Sequence, residues 1–482
     1  MSASPSKNSS GCAGRMGRRC FLTAAGASAL AVKTASWLDY VSPLFADELR
    51  PADVPRVKVA FVRPDEDRFW MAWPGATYDV AARQAEYTKE LTQAARQLGM
   101  ELDVSPLPLH EPDSVSRFLE QLGKSPPDGL VLTVMHIKSW PQVHYIAKNR
   151  GDIPTIVFSP LGTSITQQDD QIAQLPKTFV AATPESNWLS SGMQMLKTIW
   201  DLKHSRIGLV TDAATGDRRL EPIGTTLHYI PLQRWIEQLE KTEVNDEVRE
   251  IAKHYAIESQ AIVEPEAADL FNAARNYLVA RQIMAAENCQ AISLDCARLV
   301  GERRIPCGTC LAWSKLLDEG HVAACEADEN AAMTMLLVGR LFDRPGFMQD
   351  PVANTVSNTL IGSHCTCATR LDGYDKPSAP FVLRSHAESG TGVALQVAWR
   401  PGQEVTIAKF QGPGRMFIGT GKVLRNLDST RTGGCRTSVE FELDDVANSR
   451  DVKGHHQVIV YGKLDRPLRA FCQLAGIKAE HI

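Results

Sequence analysis

The sequence has no glycine-rich phosphate loop, no block of basic residues and no apolar run long enough to span a membrane. The first absence removes support for nucleotide binding, because such loops supply the backbone N–H groups that hold phosphates. The second argues against nucleic acid as a partner. A formal charge of −4 over 482 residues, with no interleaved aromatic and basic residues, offers a phosphate backbone little to meet. The third means that no segment approaches the roughly 20 apolar residues of a membrane helix. A disulfide framework is missing too. Eleven cysteines are an odd number, and nine lie beyond residue 46, mostly in apolar or tight-turn contexts. Cys307 and Cys310 have the spacing of a redox or zinc pair, but no second pair of that spacing completes a zinc ribbon. Cys365 and Cys367 keep a cysteine-rich zinc site open; most of the other thiols read as buried small hydrophobes.

The chain opens with an address rather than a fold. Arg18-Arg19 precede Phe21-Leu22 and the Ala-rich run from Ala24 to Val32. This is the pattern of a twin-arginine (Tat) signal, which implies the Tat translocase as a partner and a periplasmic or other extracytoplasmic location. A disordered basic tail before a buried helix is the plainer reading of the same residues. A weak cleavage pattern ends at Ala46; uncut, the segment would remain as an anchor.

Removing residues 1–46 leaves about 435, enough for two or three domains. Val57–Val62 is a β-branched strand, Tyr78–Gly99 has helical periodicity, and Gly99 is a natural helix stop. Further strands are expected at Leu102–Val104, Asp128–Val134 and Thr155–Phe158, with a helix at Ser114–Leu122. That alternation predicts a parallel sheet covered on both faces, over 47–184. A second α/β unit is expected over 185–375. It has a helix at Ser190–Lys203, strands at Ile207–Thr211 and Ala291–Asp295, and a helix-rich stretch between them. From Phe381 the pattern becomes short strands with Gly/Pro turns, so 376–482 is expected to form a β-barrel-like or sandwich unit. The fold class is therefore α/β, with two Rossmann-like units and a C-terminal β-barrel-like domain. Ligands bind beyond the C-terminal ends of parallel strands. The loops after Val62 and Val134, with Trp70, Trp73 and Trp140, are thus candidate sugar-binding loops. The alternative for these tryptophans is packing or an oligomer contact.

The stretch from Cys325 to Thr369 carries the chemistry. Glu326 follows the apolar His321–Cys325, and a buried helix is expected over Asn330–Phe342 with Asp328 as N-cap. A carboxylate at a strand-to-helix junction meets the positive end of the helix dipole and stays ionised. Asp350 and His364 border further apolar segments. Carboxylate and imidazole ligands suit Mn²⁺ or Mg²⁺ better than a thiolate-preferring ion. The plain alternative is that Glu326 caps the helix and His364 is an ordinary polar residue.

Four pieces in order resemble the L-fucose and L-arabinose isomerase superfamily. They are Cys325-Glu326-Ala327-Asp328, Phe347-Met348-Gln349-Asp350, Leu360–His364 and Gly454-His455-His456. The resemblance is clearest from Cys307 onward. It implies a metal-dependent aldose–ketose isomerase acting through an enediol on a small sugar. Glu326 and Asp350 would be metal ligands and the acid/base pair, and His456 the third ligand. His364 would be an accessory ligand or a substrate-binding group. It further implies a homo-trimer or homo-hexamer whose first α/β domain covers a neighbour's metal site, with the Trp-rich loop Phe69–Pro74 close to that neighbour's Glu326. Gln349 stands where the arabinose branch has its second acid, and the 24-residue spacing of Glu326 and Asp350 is closer to the fucose branch. Two other classes fit an exported α/β chain: a sugar-binding protein, and an isomerase scaffold with altered chemistry.

Overall fold

The structure is a computed structural model and describes residues 54–66, 68–70, 77–164, 166–429 and 434–482. The export segment, residues 1–46, and Trp73 lie outside the described residues; of Trp70 only the backbone, in the strand Arg68–Trp70, is described.

The first unit is a five-stranded parallel sheet in the order Glu101–Val104, Arg56–Val62, Gly129–Val134, Thr155–Pro160, Thr178–Thr183. Gly129–Val134 and Thr155–Pro160 are buried at every position, as unbroken β-branched runs are when helices cover both faces. The helix Val80–Leu98 starts at Asp79, whose side chain accepts from the Ala82 N–H. It ends at Gly99, which takes φ 64, a left-handed conformation that costs a glycine little. Trp140 is packed in the core, 2% exposed, and its indole N–H donates to the Thr163 carbonyl. The packing alternative holds for this residue, not the sugar-binding one.

The second unit orders its strands Val322–Cys325, Ala291–Leu294, Arg206–Val210, Thr225–Ile230 and Gly216–Leu220. The first four run parallel, and the last pairs antiparallel on the edge. Three helices, Leu232–Lys241, Asp246–Glu258 and Ala267–Ala286, fill the helix-rich stretch.

The third unit is a closed barrel of six antiparallel strands. Around it run Glu404–Phe410, Gln457–Tyr461, Phe347–Asn354, Thr359–His364, Thr437–Leu443 and Arg415–Asn426, which pairs again with Glu404–Phe410. Two of these strands come from before residue 376, where the β-rich pattern was expected to begin. Pro351 and the charged Asp350 broke the alternation that marks a strand. Closure leaves the barrel without a free edge. Trp399 packs edge-on against Phe441 and Tyr461, with ring centroids 5.6 and 5.0 Å away.

The helix Glu329–Phe342 joins the second and third units. It packs on the strand Val322–Cys325 and on the barrel strands Glu404–Phe410 and Gln457–Tyr461. This explains its nearly all-round apolar sequence, with Ala331 through Val338 buried. Two polar ties fix it to the barrel: Phe410 N–H donates to Thr334 Oγ1 at 3.0 Å, and Gly412 N–H to Asn330 Oδ1 at 3.0 Å. No helix among the described residues is long and apolar enough to cross a membrane.

Candidate metal centre

The turn after Val322–Cys325 is backbone-strained. Glu326 and Ala327 both take positive φ, 61° and 53°, where side-chain-bearing residues are rare. Asp328 then caps the helix through Oδ1, which accepts from the Ala331 N–H at 2.8 Å. Glu326 is therefore free of capping and projects from the C-terminal edge of the sheet. Three adjacent barrel strands bring the other groups to it. Asp350 lies on Phe347–Asn354 and pairs with Ser363. His364 ends the next strand. His456 immediately precedes Gln457–Tyr461, whose Gln457 pairs with Gln349, the residue before Asp350. Like Glu326, His456 has positive φ, 51°.

Nε2 of His456 lies 3.3 Å from Glu326 Oε2 and 3.3 Å from Asp350 Oδ1. Its other nitrogen, Nδ1, lies 2.9 Å from Asp328 Oδ2. Nε2 of His364 is 3.8 Å from Glu326 Oε1. Glu326, His364 and His456 can place three ligand atoms around one point, as can Asp350, His455 and His456. His455 is 70% exposed, lies against His456 with ring centroids 3.8 Å apart and the planes tilted by 31°, and reaches Asp350 Oδ1 at 3.5 Å. The two key imidazoles are buried, whereas the Glu326 and Asp350 side chains are 40% and 35% exposed. The site is thus walled by rings and open at its carboxylates.

Hydrogen bonding distinguishes the two buried histidines. Asp328 accepts only, so Nδ1 of His456 carries a proton and Nε2 is the atom turned to Glu326 and Asp350, a lone pair there whenever the ring is neutral. That is the usual state of a metal-binding histidine backed by a carboxylate. His364 is the reverse. Its Nδ1 accepts the Thr366 N–H at 3.2 Å, which puts its single proton on Nε2, the atom facing Glu326. Burial lowers the pKa of His364 and keeps the ring neutral. In this tautomer His364 presents an N–H donor to Glu326, while the same ring belongs to the Glu326–His364–His456 ligand group.

His456 Nε2 and Asp350 Oδ1 are buried atoms without a hydrogen bond of acceptable geometry. Buried polar atoms rarely stay unpaired, so this pair marks a missing partner. Two ligand atoms in adjacent positions on an ion with bonds of about 2.1 Å stand about 3 Å apart, close to both 3.3 Å separations. Each of the two ligand groups therefore fits a hard divalent ion, with His456 common to both, but Glu326 and Asp350 fall in different groups and are not brought around one point together. Without an ion, a proton takes its place. Burial pushes His456 down, but its contacts with Asp328, Asp350 and Glu326 outweigh burial and raise it from 6.5 to about 11. The His456 contact holds the Glu326 carboxyl below its usual value, against burial. Burial pushes Asp350 up, but the same imidazole outweighs it and holds this carboxyl down too.

Gln349 points the other way along its strand. It is fully buried, and its amide donates to Gln457 Oε1 at 3.1 Å. Asp350 is thus the acid at this point in the chain. His386, half-buried just after the strand Phe381–Arg384, lies close to Ser389 Oγ at 3.0 Å and takes no part in either ligand group. Among the described residues, no thiol joins a group of three ligand atoms, so the cysteine-rich zinc option has no geometry behind it. Asp328 was anticipated as a cap but not as the partner of His456. Lys409, which reaches Asp328 Oδ2 at 3.0 Å, was not anticipated at all. A lone lysine inside Val405–Phe410, an otherwise buried strand, was the available signal.

These features define a class: two parallel α/β units and a closed barrel, meeting at a carboxylate–imidazole cluster able to hold a metal ion. No family model matches the chain. The particular likeness is to the sulfoquinovose isomerase of Clostridium sp. (strain MSTE9), 28% identical over 183 residues. That stretch is 36% of this chain and 39% of the relative, so the chain spans well under half of that protein's length. It is a distant likeness to a sugar isomerase.

Proposed function

We propose that the protein is a metal-dependent aldose–ketose isomerase of the fucose/arabinose type, acting on a small open-chain sugar. The observation that carries this reading is His456 Nε2 and Asp350 Oδ1, close to each other but without an aligned hydrogen bond, with Glu326 beside Nε2 and Asp328 behind the ring. Glu326, Asp350 and His456 would hold the ion. Two carboxylates with one imidazole suit Mn²⁺, with Mg²⁺ the alternative. When bound, such an ion stabilises the negative charge that grows on the sugar's carbonyl and neighbouring hydroxyl oxygens. One carboxylate takes the proton from the carbon beside the carbonyl; that proton reaches the adjacent carbon by way of the second carboxyl while the neighbouring hydroxyl's proton passes to the former carbonyl oxygen, so that both carboxylates end ionised as they began. Both carboxyls are held ionised by His456, and their exposed sides leave room for the sugar. His364, neutral with Nε2–H pointing at the same space, donates to a sugar oxygen. The test is metal analysis of the purified protein with a screen of pentoses, 6-deoxyhexoses and sulfoquinovose. A protein with no bound divalent metal refutes the reading. One that holds metal but converts no aldose is an altered scaffold, and one that binds sugar without metal is a binding protein.

The donor role of His364 has its own check. His364→Phe keeps the ring volume and removes the N–H, so kcat/KM should fall about 3–10-fold, the worth of one hydrogen bond. Mn²⁺ affinity should not change. A marked loss of metal affinity would make His364 a ligand after all.

Metal uptake should also release protons. At pH 7.5 the metal-free His456 is protonated, because its value is raised to about 11, whereas a ligand imidazole must present a bare Nε2. Calorimetric titration of the metal-free protein with Mn²⁺ should release about one proton. The observed heat should therefore differ between phosphate and Tris. Equal heats, after correction for metal–buffer binding, would contradict it.

A further inference from the structure

We propose that Asp328 and Lys409 are positioning residues that aim the His456 imidazole at the metal; the proposal rests on the metal reading of this site. Capping the helix needs one acceptor, and Asp328 Oδ1 provides it to Ala331. A serine, threonine or asparagine would do as well. The second oxygen, Oδ2, has a different use: it receives both His456 Nδ1 at 2.9 Å and Lys409 Nζ at 3.0 Å. Lys409 is only 5% exposed, in a barrel strand whose neighbours Ile407, Ala408 and Phe410 are buried hydrophobes. Barrel packing does not call for a cation there, and a buried ammonium is costly unless paired. A methionine would fill similar space without the charge.

The stem of Lys409 also supports the loop that carries His456. A Cβ added at Gly454 would lie 3.1 Å from Lys409 Cγ, and Gly454 takes φ 92, so glycine allows this close approach. The Lys409 stem thus occupies the space a side chain at position 454 would need, in the loop before His456, and its ammonium pairs with Asp328. Asp328 in turn holds the ring proton on Nδ1. The chain of contacts sets both the position and the tautomer of the ligand.

The test uses Lys409→Met and Asp328→Asn in the purified protein, with melting temperatures in EDTA and at one fixed Mn²⁺ concentration. In Asp328→Asn an NH₂ replaces one oxygen. Facing His456, it pushes the ring proton onto Nε2. Each variant should bind Mn²⁺ about 10–100-fold more weakly, the usual effect of losing such a partner. The Mn²⁺-induced rise in melting temperature should shrink accordingly. A merely structural role predicts a lower melting temperature in EDTA with the wild-type increment intact, and that result would overturn the proposal. A wild type with no Mn²⁺ increment would instead sink the metal reading itself. If Asp328→Asn does not fold, Lys409→Met decides alone, because it leaves the helix cap in place.

Discussion

Glu326→Gln should lose aldose–ketose conversion by about 10²–10⁴-fold, the range for removing a positioned proton carrier. The amide cannot take a proton from carbon, and it puts a donor or a weaker acceptor where a carboxylate meets His456 Nε2. Metal affinity should fall with it. The fold should survive for three reasons. The helix is capped by Asp328, not by Glu326. Asp328 and Asp350 remain beside the buried His456 imidazole, so no buried charge is orphaned by the change. Glutamine also has nearly the same shape, and the left-handed backbone at this position holds for either residue. The measurement is turnover at saturating Mn²⁺ of whichever sugar the wild type converts, with circular dichroism as the folding control. Activity within tenfold of wild type would exclude Glu326 as a proton carrier.

Glu326, Asp350 and His456 could be picked out because each borders an apolar segment and lies in one of four motifs, in order, that resemble the L-fucose and L-arabinose isomerases. Their convergence could not be read locally. It depends on Phe347–Asn354 lying between Thr359–His364 and Gln457–Tyr461, a pairing between strands about 100 residues apart. The parallel sheets were legible because runs such as Leu130–Val134 are buried on both faces. The edge strand Gly216–Leu220 was not, since four of its five residues are exposed and it reads as a charged loop. The roles of the two buried histidines lay beyond sequence as well. A backbone N–H from Thr366 makes His364 a donor, and a carboxylate from Asp328 makes His456 a lone-pair source whenever its ring is neutral. Nothing in the residue types alone separates the two.

His456→Ala should abolish detectable Mn²⁺ binding and also destabilise the metal-free protein, with a pH dependence that identifies the cause. In the metal-free wild type, the imidazolium is the cation that Glu326, Asp350 and Asp328 share. Its removal leaves three carboxylates facing one another, with Lys409 paired to Asp328 alone. Breaking a buried ion pair costs about 3–5 kcal/mol, and the lower end applies because Glu326 and Asp350 are partly solvated. The sign follows from the shifts. His456 is raised from 6.5 to about 11 on folding, so its contribution is complete below pH 6.5 and is lost as the pH climbs through about 11. Glu326 and Asp350 are lowered from 4.5 and 3.8, so their contribution is present above those values and is lost as the pH falls through the depressed ones. Wild type should therefore exceed the variant most between about pH 4.5 and 6.5, with the gap closing in both directions. Melting temperatures of both proteins in EDTA, at pH 5.5 and pH 9, are the measurement. A gap that widens from pH 5.5 to pH 9 would mean that His456 is neutral in the metal-free protein. The ring would then stabilise by packing, not as the stand-in for a metal ion.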